Sequence, residues 1–252
     1  MNALRSEIRK LWTVRTTWAI TLFGWALVVL FTIMALFTTL VGEAFTGTDT
    51  QIAAAIEQLG STAVIVLIVA LLAMTTEFRY GTIGRTFQIV PSRSTVLLAK
   101  LGAGVLYALV YFLTALLLVA LLLALAAPIQ GVSLSFGAET AAALWQAPVA
   151  LVLNAILGVA VGALVRSQVA AITGVLIWYF VVESIIATLA PAAGRWLPFQ
   201  SLNSLFLGEE ATQAALEAGV ILLSPLAALA VFLAYVATAS TTAVTLLRTR
   251  DV

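Results

Sequence analysis

The chain has 252 residues, of which 63% are hydrophobic and 9% charged, with a formal net charge of +1. A soluble domain would carry roughly 25% charged residues, so this is the composition of an integral membrane protein. It contains no cysteine and no histidine, which excludes disulfides, thiol nucleophiles, haem ligation and the usual zinc sites.

Residues 1–16 carry Leu4, Ile8, Leu11 and Trp12 at helical spacing, with Arg5, Arg9 and Lys10 off that stripe. The pattern fits an amphipathic helix lying in the cytoplasmic interface, its basic residues among anionic headgroups. A topogenic tail that only orients the first span is the other reading. A spanning helix needs about 20 apolar residues, and six stretches meet that need: 18–41, 60–76, 101–127, 147–165, 168–190 and 219–247. The fourth and fifth form one long apolar run broken only by Arg166-Ser167-Gln168, which reads as a tight polar turn. The sixth is longer than a bilayer requires, implying tilt or an interfacial first turn at Pro225. No period-2 alternation of barrel strands competes. The expected fold class is an all-α integral membrane protein, a single domain of six transmembrane helices preceded by the interfacial helix.

Charge sets the expected orientation. Arg5, Arg9, Lys10, Arg15, Arg79, Arg85, Arg93, Lys100, Arg166, Arg248 and Arg250 fall on one side, eleven of the twelve basic residues, and only Arg195 falls on the other. Glu43, Asp49, Glu57, Glu139, Glu209, Glu210 and Glu217 gather with Arg195. The positive-inside rule then puts both termini in the cytoplasm. Trp12 marks the inner boundary, and Trp145 and Trp196 the outer one.

The loop at 77–100 is expected in the cytoplasm, and it is not a plain connector. Ile83, Phe87 and Val90 lie at i, i+4 and i+7, giving a short helix one apolar face. Pro91 stops that helix, and Ser92 or Ser94 can cap the one that follows. The apolar face either meets a partner protein or folds back on the membrane. Glu183 lies in the fifth span, about 24 Å above its cytoplasmic end at 1.5 Å per residue. A carboxylate at that depth is costly unless paired or near the headgroups. It either lines a pathway or gate, or it is structural, paired with Arg195 or hydrogen-bonded across an interface. Gly158 and Gly162 form a small-xxx-small pair that lets helices approach closely, most simply inside one subunit. Residues 191–218 mix prolines and carboxylates with Trp196, Leu197, Phe199, Leu202, Leu205 and Phe206. They are too apolar for an open loop and too broken for a span, and short interfacial or re-entrant helices fit them.

No Gly-x-x-x-x-Gly-Lys-Ser/Thr motif is present, so the chain lacks a phosphate-binding loop of its own. Glu209-Glu210 resembles the glutamate pair of some intramembrane proteases, but those also need histidine, which the chain lacks.

The stretch from Glu77 through Gly81-Thr82 to Pro91-Ser92-Arg93, closing on Ala99-Lys100-Leu101, resembles the loop of ABC-2 type transporter permeases, especially the small six-span actinobacterial members. The order of segments resembles that family too, although Gly84 inside the short helix departs from it, since glycine weakens a helix by about 1 kcal/mol. The resemblance implies the membrane subunit of an exporter in a bacterial plasma membrane. It implies a homodimer or a pair with a paralogous permease, driven by a separate ABC-type ATPase that binds the ATP and magnesium. This chain would then hold no cofactor, perform no hydrolysis and bind no nucleic acid. The coupling residues implied are Glu77, Arg79, Gly81, Thr82, Ile83, Arg85, Phe87, Pro91 and Arg93. Ile83 and Phe87 would be apolar anchors, and Glu77 and Arg79 would tie the loop to cytoplasmic charges such as Arg5 or Arg9. The 191–218 segment would gate the outer mouth, giving Glu183, Phe199, Asn203 and Phe206 as pathway or gate residues. A carrier driven by an ion gradient, or a membrane scaffold or assembly factor, are the alternatives.

Overall fold

The computed structural model describes residues 3–37, 45–90, 92–205, 209–217 and 219–249. Among them there is no strand, and six helical spans are long and apolar enough to cross a membrane. The protein is an all-α, multi-pass membrane protein.

Helix α1, Ala3–Thr13, is amphipathic and packs on the third span rather than standing free. The first span is α2, Arg15–Phe37. The second span is Asp49–Arg79, built from α3 (Asp49–Ser61) and α4 (Ala63–Arg79). Between them Thr62 donates its hydroxyl to the Leu59 carbonyl at 2.7 Å, a back-bond of the kind that bends helices. Hydropathy places the start of this span at Gly60, eleven residues late. Helix α3 buries Ile52, Ala53, Ile56 and Leu59 against another span and turns Gln51, Glu57 and Gln58 away from full burial. Its average polarity therefore hides a helix that belongs to the bundle, and Glu57 sits on that helix, not in a loop.

After the short helix α5, Ile83–Ile89, the third span is α6, Arg93–Gln130. Its 38 residues reach about 57 Å at 1.5 Å per residue, well beyond a hydrocarbon core of about 30 Å. The fourth span, α7 (Ala138–Val165), is the hub of the bundle, with α4 as its most extensive neighbour and α3, α6 and the sixth span also against it. Gly158 and Gly162 make the α4 contact possible. A Cβ on Gly158 would collide with the Leu67 carbonyl, and one on Gly162 would come within 2.9 Å of the Leu71 carbonyl. The glycine pair thus serves packing within one chain. The N-cap of α7 is Gly137, which has no side chain to cap with. Asp49 of α3 supplies the cap instead, accepting from the backbone N–H of Gly137, Glu139 and Thr140 and from the Thr140 hydroxyl at 2.6–3.1 Å.

Arg166, at φ 59°, and Ser167 make the sharp turn into the fifth span, and Ser167 caps it. That span runs through α8 (Gln168–Ile177), a π-helical turn at Trp178–Val182 and α9 (Glu183–Leu189). The short helices α10 (Pro191–Gly194), α11 (Pro198–Asn203) and α12 (Glu209–Glu217) follow. The sixth span is α13, Pro225–Thr249, shorter than the expected 219–247 at its start. Proline is suited to the first turn of a helix, and 220–224 is non-helical. Residues 38–41 of the expected first span lie outside the described residues.

Candidate functional site

At the basic end of the bundle, four charged side chains from three elements meet, three of them buried and the fourth, Lys10, about half exposed at the edge. Glu7 comes from α1, Lys10 from the next turn of the same helix, Glu77 from the last turn of α4, and Lys100 from the second turn of α6. Lys10 Nζ donates to Glu7 Oε1 at 2.6 Å and to Glu77 Oε1 at 2.7 Å. Lys100 Nζ donates to Glu7 Oε2 and Glu77 Oε1, both at 2.7 Å, and to the Ala73 carbonyl at 3.0 Å. An ammonium has three N–H groups, so Lys100 has all of its donors in use. That explains how it tolerates being only 1% exposed. The remaining oxygen, Glu77 Oε2, accepts from the hydroxyl of Thr86 on α5 at 3.1 Å. The set is neutral as a whole, two carboxylates against two ammoniums, as burial of charge demands. Desolvation alone would lower the Lys10 pKa, but its hydrogen bonds and proximity to Glu7 and Glu77 outweigh that and hold it above the ordinary lysine value.

Local backbone geometry fixes how the loop leaves this cluster. Helix α4 ends in a Schellman turn: the Thr82 N–H donates to the Glu77 carbonyl at 2.9 Å and the Gly81 N–H to the Phe78 carbonyl at 3.3 Å. That closure needs a left-handed residue, and Gly81 supplies it at φ 65°. Helix α5 starts two residues later, so Thr86, one turn into it, comes back over Glu77. A cavity of about 570 Å³ opens beside the cluster, walled by Lys10, Thr17, Ala73, Glu77, Arg79 and Gln168 among others.

The nine coupling positions nominated by sequence do not all fall where a partner could reach them. Glu77 is in the cluster, and its partners are Lys10 and Lys100, not Arg5 or Arg9, which are exposed on the far side of α1. Arg79 donates to the Gln168 side chain at 3.2 Å and lies over the Tyr80 ring. Gly81 and Thr82 form the turn. Ile83 is 3% exposed, and Phe87 is half-buried under the Arg93 guanidinium, 5.4 Å from its ring centre. Both side chains face into the bundle because the short helix folds back on it, so neither residue is a free anchor. Arg93 also donates to the Leu247 carbonyl at 2.8 Å, joining the start of the third span to the end of the sixth. The apolar side chains this loop presents outward are Tyr80 and Ile89, with Arg85 and Gln88 beside them. Pro91 lies outside the described residues.

Sequence reasoning missed Glu7. The signal was there: Glu7 lies three residues after Leu4 and four before Leu11, on the apolar stripe of α1 itself. A carboxylate in that row needs a cation opposite it.

At the other end, Glu183 is completely buried and is not paired with Arg195. Its Oε1 accepts from the Trp178 indole N–H at 2.8 Å and from the Phe199 backbone N–H at 3.2 Å, and its Oε2 accepts from the Gln200 N–H at 2.8 Å. The π-helical turn lets Trp178, five residues earlier, reach it. The carboxylate thereby clasps the first turn of α11 to the fifth span. Phe199 packs edge-on against Tyr179, with ring centres 4.6 Å apart, and lies near Phe232 of α13. It is a buried packing residue here, whereas Asn203 is exposed. Phe206 lies outside the described residues. No group of histidine, cysteine or acidic residues able to hold a metal occurs among the described residues. No protein-family model matches the chain, and no curated protein matches it in sequence.

Proposed function

We propose that this chain is the membrane subunit of a transporter driven by a separate ATPase, of the ABC-2 permease type, and that the loop at 77–93 receives the motor. The observation that carries the reading is the linkage between an outward-facing loop helix and the spans. Tyr80 and Ile89 are 68% and 80% exposed at one end of α4 and on α5. Through Thr86 the same helix is bonded to Glu77, and through Glu77 to Lys10 and Lys100. A push on α5 is therefore delivered to the amphipathic helix and to the second and third spans together. These 252 residues hold no phosphate-binding motif, and in this reading the push comes from a separate ATPase.

A second feature favours a paired permease. Only 11% of the apolar stretch of the fifth span is buried inside the chain, against 67% for the second span. The fifth span, with the lightly buried first and sixth, offers its side to lipid or to a second permease copy. A carrier driven by an ion gradient needs an intramembrane carboxylate free to exchange an ion or a proton. Glu77 and Glu183 have their oxygens taken by the lysine pair with Thr86 and by the three N–H groups on Glu183. That removes both as exchanging groups and leaves the half-buried Glu57 of the second span as the carboxylate that alternative would have to use. The cargo in this reading is an amphipathic small molecule, lipid or peptide, and the location a bacterial plasma membrane.

The test is co-purification in mild detergent from cells producing the tagged chain. An ABC-type ATPase is expected to come with it, and Ile89→Asp to remove that partner while leaving the chain inserted and folded. An ATPase that remains bound and stimulated in Ile89→Asp refutes the assignment of the docking face. Absence of any ATPase partner, together with transport abolished by an ionophore, refutes the reading as a whole.

A further inference from the structure

The end of the bundle away from the charge cluster holds a second cavity, of about 410 Å³, within the range of about 300–1,000 Å³ typical of small-molecule sites. It lies between the end of the fifth span, helices α10 and α11, and the non-helical segment leading to the sixth span. Its polar wall carries the side chains of Arg195, Gln200 and Asn203, and its apolar wall carries Val220, Ile221 and Leu222.

Arg195 is the basic residue that the charge bias leaves on its own side. Among the described residues no carboxylate lies within ion-pair distance of it. Its Nε is shielded from solvent and has no hydrogen-bond acceptor, a rare condition for a buried donor. Its guanidinium lies over the Trp196 ring, 5.3 Å from the centre, which holds the group in place. The nearest acidic candidate by sequence reading, Glu183, has spent its oxygens on Trp178, Phe199 and Gln200. Gln200 and Asn203 use no side-chain N–H on another described residue. A guanidinium has five N–H groups and each carboxamide two, so the wall is rich in donors and lacks an anion.

We infer that this cavity is a binding site for a phosphate group of net negative charge with an attached carbon chain, one whose headgroup carries no cation of its own. Arg195 supplies the charge, Gln200 and Asn203 supply further N–H donors, and the 220–222 wall takes the first carbons of the attached chain. Arginine's planar fork matches a phosphate group bidentately, which leaves further phosphate oxygens for the two carboxamides. The inference stands on this cavity alone and does not require the chain to be a permease. The phosphate can be borne by a bilayer lipid or by a soluble phosphate ester.

The experiment uses the full chain in nanodiscs of phosphatidylcholine with a rising fraction of phosphatidylglycerol brominated on its acyl chains. Bromine quenches tryptophan on contact, and the difference between wild type and Trp196→Phe isolates the signal of Trp196. Saturable quenching of Trp196 by the brominated anionic lipid is expected, with brominated phosphatidylcholine giving none that saturates. Arg195→Gln is expected to raise the half-saturating fraction about tenfold, the scale of losing a charge-assisted contact. Displacement of the brominated lipid by glycerol 3-phosphate in the buffer assigns the site to a soluble phosphate ester, and its retention assigns the site to a lipid-borne phosphate. Equal quenching by the two lipids, or an unchanged response in Arg195→Gln, overturns the inference. Should Arg195→Gln not accumulate as folded protein, Asn203→Leu at an exposed position carries the same comparison, and a wild-type response there overturns it equally.

Discussion

Replacing Lys100 by methionine keeps much of the side chain's length and removes its charge from a site where Lys100, Glu7 and Glu77 are 1%, 5% and 7% exposed. In the wild type, each contact of about 2.7 Å is worth about 6 kcal/mol of gross attraction at an effective dielectric of 20. Desolvation of the ions offsets most of that gain. In Lys100→Met the desolvation of both carboxylates persists while two of the four charge contacts disappear, and the cluster is left with a net charge of −1. Breaking a buried pair in this way costs about 3–5 kcal/mol. Adding Glu7→Gln restores neutrality, because Glu77 and Lys10 remain as a complete pair. The double variant is then expected to lose only hydrogen bonds and packing, about 1–2 kcal/mol. The two single losses should therefore exceed the double loss by at least about 2 kcal/mol, the signature of coupled sites. The assay is reversible unfolding in mixed micelles by added dodecyl sulfate, read by tryptophan fluorescence and far-ultraviolet dichroism. Losses that add to within about 0.5 kcal/mol, the behaviour of independent sites, refute the account of the cluster as one charge-balanced unit.

Other consequences follow from particular contacts. Gly158→Val forces a side chain into the Leu67 carbonyl and should cost about 1–3 kcal/mol by overpacking. Gly84→Ala, where a Cβ meets nothing within 4 Å, should leave unfolding unchanged or gain up to about 1 kcal/mol; equal effects of the two in the same assay contradict the α4–α7 packing. Gly81→Ala places a Cβ in open space but at φ 65°, so only backbone strain of about 1–2 kcal/mol is expected, and Gly81→Asn should recover part of it. Asp49→Ala should speed amide exchange at residues 137–141 while exchange in the middle of α7 stays slow; unchanged exchange at 137–141 contradicts the shared cap. Glu183→Gln substitutes an amide for a carboxylate that accepts three N–H groups, so exchange at Phe199 and Gln200 should rise while the fifth span stays protected.

How far the sequence reveals this protein depends on whether a residue's partner is near in sequence or carries a recognisable charge. The spans show through because an uninterrupted apolar run of spanning length has little use outside a bilayer, and the turn at Arg166-Ser167 shows because polar residues interrupt one such run. Gly81 could be singled out because a glycine just past a helix end has a specific conformational use. Helix α3 was hidden because its buried face alternates with glutamine and glutamate, and an average over the segment cannot separate the two faces. The cluster was half visible: Glu77 demanded a cation, and the motif before the third span contained Lys100. Choosing Arg5 or Arg9 over Lys10 failed because only Lys10 shares a face with Glu7, three residues earlier. The partners of Glu183 were not legible at all. Two of the three are backbone N–H groups of α11, and where a short helix docks depends on the packing of Phe199 and Leu202, not on any local code.

The two ends of the bundle handle buried charge in different ways, and the difference bears on how it moves. At the basic end, Glu7, Lys10, Glu77 and Lys100 belong to three separate elements, and Thr86 adds α5 as a fourth. Separating α4 or α6 leaves the rest of the cluster with an unbalanced charge, and separating α1 breaks two of its four ion pairs, so α1, α4 and α6 resist being pulled apart there and are expected to shift as a body. At the opposite end, the Glu183 carboxylate is held by neighbours on its own span and by α11 alone. The fifth span has little else buried against the chain. Rearrangement there can carry α11 along with the fifth span without breaking the cluster at the far end. Under the proposed function, a bundle stiff beneath its loop helix and loosely joined at the other end would transmit a push through the first and concentrate its shape change in the second. The phosphate cavity lies at that looser end, between α11 and the approach to the sixth span, so an occupant held by Arg195 would bias the position of α11.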